Sequence, residues 1–174
     1  MATEPWRNPR PAPNLDEVRD RVPPQSIFLA FLRAWWPALL WSSLIFFAST
    51  DSLSSERTSH FIVPMLHWLF PAMNADTVDL LHHFIRKCAH FVEYFIFFIL
   101  VYRGVRGGRK EFHWTWGLLA WFIVVLYSLS DEFHQIFVAS RGPSLWDSLL
   151  DSTGALIALL LVYLAYRYFR GART

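Results

Sequence analysis

Three short runs in this chain collect residues that can move protons or hold anions. Arg86, Lys87, His90 and Glu93 form the first, Asp131, Glu132, His134 and Gln135 the second, and Arg141, Asp147 and Asp151 the third. His90, Glu93, Asp131, Glu132 and Asp151 are the acid/base candidates, because burial and charged neighbours can bring such groups near neutrality. Arg86 and Arg141 suit a phosphate or carboxylate, and Gln135 and Asp147 could contact a polar substrate. The same His and carboxylate side chains are of a type that binds Zn²⁺, Mn²⁺ or Mg²⁺. The adjacent Arg86 and Lys87 argue against a purely cationic site, so no metal ligand set is assigned and a divalent cation stays an alternative.

Spacing arranges each run as a stripe. Arg86, His90, Glu93 and Phe97 follow i, i+4, i+7, i+11, one face of a helix. Ser128, Asp131 or Glu132, and Gln135 make a second stripe. Asp147, Asp151 and Gly154 make a third, continued by Ala155 and Ala158, small residues that let helices approach closely. Each run also has a plainer structural reading. The first could be an intramembrane ion-pair network and the second a helix end at an interface. In the third, Ser144 and Asp147 read as a capping box after Gly142-Pro143.

The elements that carry these stripes are apolar. Of 174 residues, 54% are hydrophobic and 17% charged, against about 25% charged in soluble domains, and mean hydropathy is +0.27. This composition excludes an ordinary soluble globule. The lone Cys88 excludes an intrachain disulfide and a cysteine-based zinc framework. Sixteen Lys and Arg against 14 Asp and Glu leave a small, dispersed basic excess, so no nucleic-acid partner is expected. Four stretches approach membrane-spanning length, a hydrocarbon core needing about 20 helical residues: Ile27–Ala48 (interrupted by Arg33 and Pro37), Phe84–Val101, Trp114–Leu129 and Leu149–Phe169. Lipid offers the backbone no partner, so each must be helical. Phe61–Ala72, with Pro64, His67 and Trp68, is too short to span and reads as interfacial. The expected fold is all-α, a polytopic membrane bundle of four transmembrane helices plus a short interfacial helix. Residues 1–25, with six prolines, read as a disordered cytoplasmic tail, and 26–174 as the membrane domain. The first span is too long for a signal peptide and lacks a cleavage site after Ala48.

Positive residues orient such bundles. Five arginines precede or begin the first span. Arg103, Arg106, Arg109 and Lys110 fill the loop after the second, and Arg167, Arg170 and Arg173 close the chain. Both termini are therefore expected in the cytoplasm of a bacterial inner membrane. All three polar stripes then reach the extracytoplasmic end. Glu93 would lie roughly 14 Å into its span, where a carboxylate costs about 3 kcal/mol and demands a partner such as His90 or Arg86. Stripes that avoid lipid must face one another, which implies a polar chamber. Tyr94, Tyr127, Trp35, Trp36, Trp41, Trp68, Trp114 and Trp116 are assigned to interfacial belts, Cys88 to packing, and His60, His67, His82, His83 and His113 to interfaces.

These residues resemble a known family. Arg86-Lys87-Cys88-Ala89-His90-Phe91-Val92-Glu93-Tyr94 is similar to the RKxxHFxEY segment of VanZ-like membrane proteins. Ser130-Asp131-Glu132-Phe133-His134-Gln135, followed by Arg141, Asp147, Asp151 and Gly154, resembles the continuation of that pattern. The resemblance covers about 84–160, with a weaker echo at Phe47-Ala48-Ser49, and Asp151 stands where family members often have Asn. It implies a four- or five-helix bundle and an association with reduced susceptibility to glycopeptide antibiotics, teicoplanin in particular. Three functions then compete. The first is a site that binds or processes an envelope lipid, a lipid-linked cell-wall precursor or a glycopeptide, as a hydrolase or transferase if it is an enzyme. The second is a proton-coupled carrier with Glu93 as relay, for which four spans are few unless a homodimer adds more. The third is a non-catalytic bundle whose polar network serves folding or a partner protein.

Overall fold

The computed structural model describes residues 24–50, 55–137 and 144–171. Among them the chain forms five α-helices and no strand: α1 Pro24–Ser49, α2 Ser55–Leu69, α3 Ala75–Arg106, α4 Trp114–Gln135 and α5 Leu145–Gly171. Two compact units result, Met1–Arg33 and Ala34–Thr174. The second holds every residue of the candidate site. Residues 1–23 of the expected tail, and Arg141, lie outside the described residues.

Three helical segments are long and apolar enough to cross a membrane: Phe28–Ser49, Trp114–Gln135 and Leu145–Gly171. They correspond to the first, third and fourth expected spans. The segment expected to be the second, Phe84–Val101, is not among them. It belongs to a much longer helix, α3, whose 32 residues measure about 48 Å at 1.5 Å per residue. Both ends of α3 follow from local sequence. Asn74 caps it by accepting a hydrogen bond from the Thr77 amide at 2.9 Å. At the other end Gly107, in the left-handed region at φ 60°, donates its N–H to Arg103 and Gly104, a conformation glycine adopts without a Cβ penalty. Arg103 and Arg106 in the last turn complement the helix dipole.

The bundle is built around α3, which packs most extensively on α5, then on α4, with α2 laid against it, while α4 and α5 also pack together. The core runs through Tyr94, Phe97, Phe98 and Val101 of α3, Ala120 and Val124 of α4, and Ala155, Ala158 and Leu159 of α5. Small residues bring the helices close. A Cβ on Gly154 would lie 2.6 Å from the Phe91 carbonyl oxygen, and one on Gly117 2.5 Å from Leu159 Cδ1. The Ala34–Ser49 part of α1 attaches by long side chains. The Trp41 indole donates to the Glu93 carbonyl at 3.0 Å, and the Tyr127 hydroxyl donates to the Ser42 carbonyl at 2.6 Å. The outer faces of α1, α4 and α5 are as apolar as the inside: Leu40, Leu44, Phe47, Leu118, Phe122, Leu126, Leu160 and Leu164 are all exposed. A contiguous apolar exterior of this kind is one that water does not tolerate and lipid does.

Several expectations need correction. The apolar stretch expected over 61–72 forms a helix that starts earlier, at Ser55, and continues through Pro64. Phe61 and Trp68 point outward and Leu66 inward. The run Asp131–Gln135 does not dissolve at the end of its span but completes α4 as its last turn, with Asp131, Glu132 and Gln135 buried. Tyr94 is no belt residue, being wholly buried. Trp35, Trp41 and Tyr127 also pack against the core, because their long rings bridge α1 to its neighbours. His82 is buried rather than interfacial, its Nε2 3.5 Å from the Thr58 hydroxyl of α2. Cys88 is exposed, not packed.

Candidate functional site

The last turn of α4 and the second turn of α5 bring two buried carboxylates to the same end of the bundle. Asp131 and Asp151 are 5% and 1% exposed, and each is held by one oxygen. Asp131 Oδ2 accepts from the Ser49 hydroxyl of α1 at 2.6 Å and from Gln135 Nε2, one turn on in α4, at 3.1 Å. Asp151 Oδ2 accepts from the Ser128 hydroxyl at 2.9 Å, and that hydroxyl also sits 3.0 Å from Ser148 Oγ. The second oxygens differ. Asp131 Oδ1 and Asp151 Oδ1 are buried without a hydrogen-bond partner among the described residues. Tyr94 brings its phenol to the same place. Its hydroxyl is buried beside Ser128, short of a well-formed hydrogen bond among the described residues. Unsatisfied buried acceptors are costly and therefore informative.

The imidazole of His90 completes the cluster. Its Nδ1 lies 3.7 Å from Asp151 Oδ1, and its side chain is 21% exposed against 2% for Asp151. His90 is the member of the pair that reaches the bundle surface, where an imidazole can take up and return a proton.

The three stripes contribute unequally, and the difference is rotational. Along α3 the buried face passes through Tyr94, Phe97 and Val101. Glu93, one residue away and so turned by about 100°, is half-buried at the edge of the cluster, although its charge is felt at Asp151. Along α5 the buried face is Ser148, Asp151, Gly154, Ala155 and Ala158. Asp147 is turned out of it and accepts from Lys87 Nζ at 2.7 Å. The capping box expected between Ser144 and Asp147 is also replaced. The Ser144 amide donates to Glu132 Oε2 at 2.7 Å, so a carboxylate from α4 does what the third residue of α5 would do. Glu132 is buried, at 6% exposed, and pins the start of α5 beside the cluster. Arg86 is half-buried, one turn before His90, and its charge is felt at His82.

The site therefore unites His90, Asp131, Asp151 and Gln135 with Ser49, Ser128, Ser148 and Tyr94. Ser49 shows in the sequence only in the weak family echo Phe47-Ala48-Ser49, just past the first expected span, and Ser148 carries no signal beyond its i−3 spacing from Asp151. Tyr94 could have been found, standing four residues after His90 and three before Phe97. Among the described residues no three His, Cys, Asp or Glu side chains converge as a metal ligand set. The neighbours of the two aspartates are hydroxyls and an amide.

The Lys87–Asp147 pair gives a contrast. Its side chains are 57% and 38% exposed, and exposed pairs contribute about 0–1 kcal/mol. Lys87→Gln is expected to leave the midpoint of thermal unfolding in detergent nearly unchanged. A large drop would mean that the pair holds α3 to α5.

The VanZ/LLP1 family profile matches residues 34–166. The chain belongs to the VanZ/LLP1 family. No curated protein and no solved structure matches the sequence. The match to the VanZ/LLP1 family is wider than the resemblance carried by the polar runs. It starts at Ala34, where the larger compact unit also begins, and so includes the half of α1 that supplies Ser49.

Proposed function

We propose that this VanZ/LLP1 protein binds the polar head of a lipid-linked cell-envelope molecule at the His90–Asp131–Asp151 cluster. In this reading α1, α3, α4 and α5 cross a bacterial inner membrane, α2 lies at its surface, and both termini are cytoplasmic. The cluster then opens beside the outer leaflet, where such a molecule keeps its tail in lipid and its head near His90. A glycopeptide antibiotic, amphiphilic and recognising the same envelope material, would meet the site from that side.

The observation that supports this most directly is the pair of unsatisfied buried oxygens, Asp131 Oδ1 and Asp151 Oδ1, with the Tyr94 hydroxyl beside them also lacking a hydrogen-bond partner among the described residues. Donors from a sugar or peptide head group would satisfy them. His90 supplies a proton donor or acceptor at the entrance. A purely structural network would be expected to close on itself.

The test pairs phenotype with abundance. His90→Gln should lower teicoplanin resistance in a host that depends on this protein, with the variant present in membranes at the normal level. Equal falls in abundance and resistance would make the cluster a folding element. Unchanged resistance would remove the glycopeptide from the reading.

A further inference from the structure

The end of the bundle away from the His90–Asp151 cluster holds a cavity of about 940 Å³, between the C-terminal turns of α3 and α5 and the loop that enters α4. This is the upper end of the size range of small-molecule pockets. Its wall is aromatic. Phe112 sits at the centre, its ring 6.0 Å from Tyr102 and 5.9 Å from Tyr166. Its rim is basic, with Arg106, Lys110 and Arg170. The one carboxylate in the lining, Glu111, is already engaged, its Oε2 3.3 Å from His113 Nε2.

Both arginines lie against aromatic rings, Arg106 half-buried and Arg170 exposed. The Arg106 guanidinium lies 5.9 Å from the Tyr102 ring centre, and its Nε is buried with no hydrogen-bond partner among the described residues. Arg170 donates to the Tyr166 hydroxyl at 3.0 Å with its guanidinium 6.0 Å from that ring. A buried, oriented N–H without an acceptor calls for an anion with oxygen atoms, and planar guanidinium groups match phosphate. The aromatic floor beneath the cations calls for something apolar attached to that anion.

We propose that this cavity binds the phosphate head group of an anionic membrane phospholipid, with the start of its acyl chains against Phe112 and Tyr102. The surroundings favour a lipid over a soluble phosphate. The apolar segments of α4 and α5 terminate here, beside exposed Trp114, Tyr168 and Phe169, side chains that settle at the lipid–water boundary. Basic pockets between the ends of membrane helices recognise anionic head groups. The proposal does not rest on the function assigned to the other end.

The experiment uses the full chain in phosphatidylcholine nanodiscs with stepped fractions of phosphatidylglycerol, reading retained phosphatidylglycerol by native mass spectrometry. The double variant Arg106→Gln/Arg170→Gln should weaken retention by about 30-fold, the effect of two basic contacts. Arg167→Gln, on the same last turns but outside the lining, should change it less than about twofold on the same scale. Ala165→Trp removes no charge but fills the cavity, and should also abolish retention, so the result does not hang on the double variant folding. Glycerol 3-phosphate at millimolar levels should not compete. Equal losses for Arg167→Gln, or retention by Ala165→Trp, would reduce the site to diffuse surface charge. Full competition by glycerol 3-phosphate or inorganic phosphate would make it a soluble-phosphate site and overturn the lipid assignment.

Discussion

Asp151→Asn is expected to weaken function by at least about 5-fold while leaving the protein in the membrane at nearly its normal level. The amide keeps the shape of the carboxylate, and its oxygen can still accept from Ser128, now at 2.9 Å. It puts an amide in place of the carboxyl oxygen that faces His90 Nδ1 at 3.7 Å, and so presents a donor where a ligand donor is expected. Leaving a buried polar group without its partner costs about 1–3 kcal/mol, which is about 5- to 150-fold in affinity. Asp151→Leu should behave differently. It leaves the Ser128 hydroxyl with Ser148 alone and sets an apolar side chain among buried polar groups, which costs roughly 1–3 kcal/mol and should lower abundance and thermal stability as well as function. Measuring membrane abundance beside glycopeptide susceptibility for both variants separates the two effects. An Asn variant that is fully active would show that the carboxylate serves only to satisfy Ser128.

The second large effect is expected at Gly154, one turn after Asp151. Its missing Cβ is the space occupied by the Phe91 backbone, with the carbonyl oxygen 2.6 Å away and the carbon at 3.4 Å. Backbone cannot rotate aside as a side chain can. Gly154→Ala should therefore push α3 from α5 and cost about 1–3 kcal/mol, more than the roughly 1 kcal/mol that alanine gains over glycine in a helix. Because Phe91 follows His90, the same displacement should lengthen the His90–Asp151 contact. Function should fall with stability. Gly171→Ala is the control, since a Cβ there meets nothing within 4 Å, and it should be neutral. Thermal unfolding of the three proteins in detergent checks this. An unfolding midpoint for Gly154→Ala at or above that of the parent would mean that α3 and α5 are not in close contact.

Glu132 shows how a correct residue can be given an incomplete role. Its position in the polar run marks it as a candidate acid or base. In the fold it accepts the Ser144 amide, so at least one of its oxygens is committed to starting α5. That bond spans 12 residues of sequence and includes a loop outside the described residues, and no local pattern announces it. The local pattern of Ser144 and Asp147 predicts a capping box, but Asp147 instead accepts from Lys87.

Hydropathy and spacing alone determined that the chain is helical, that its apolar segments are long enough to span lipid, and that its ionisable residues gather into three stripes. The reason is local: a backbone in lipid must bond within its own helix, and a 3.6-residue repeat places i, i+3 and i+4 on one side. The tertiary structure decided which neighbour in each stripe points inward. One residue turns a helix by about 100°, and a polar stripe two residues wide fits either rotation. Contacts between helices made the choice, Gly154 against Phe91 and Ser49 against Asp131, and so Tyr94 and Ser148 entered the core while Glu93 and Asp147 were left at its margin.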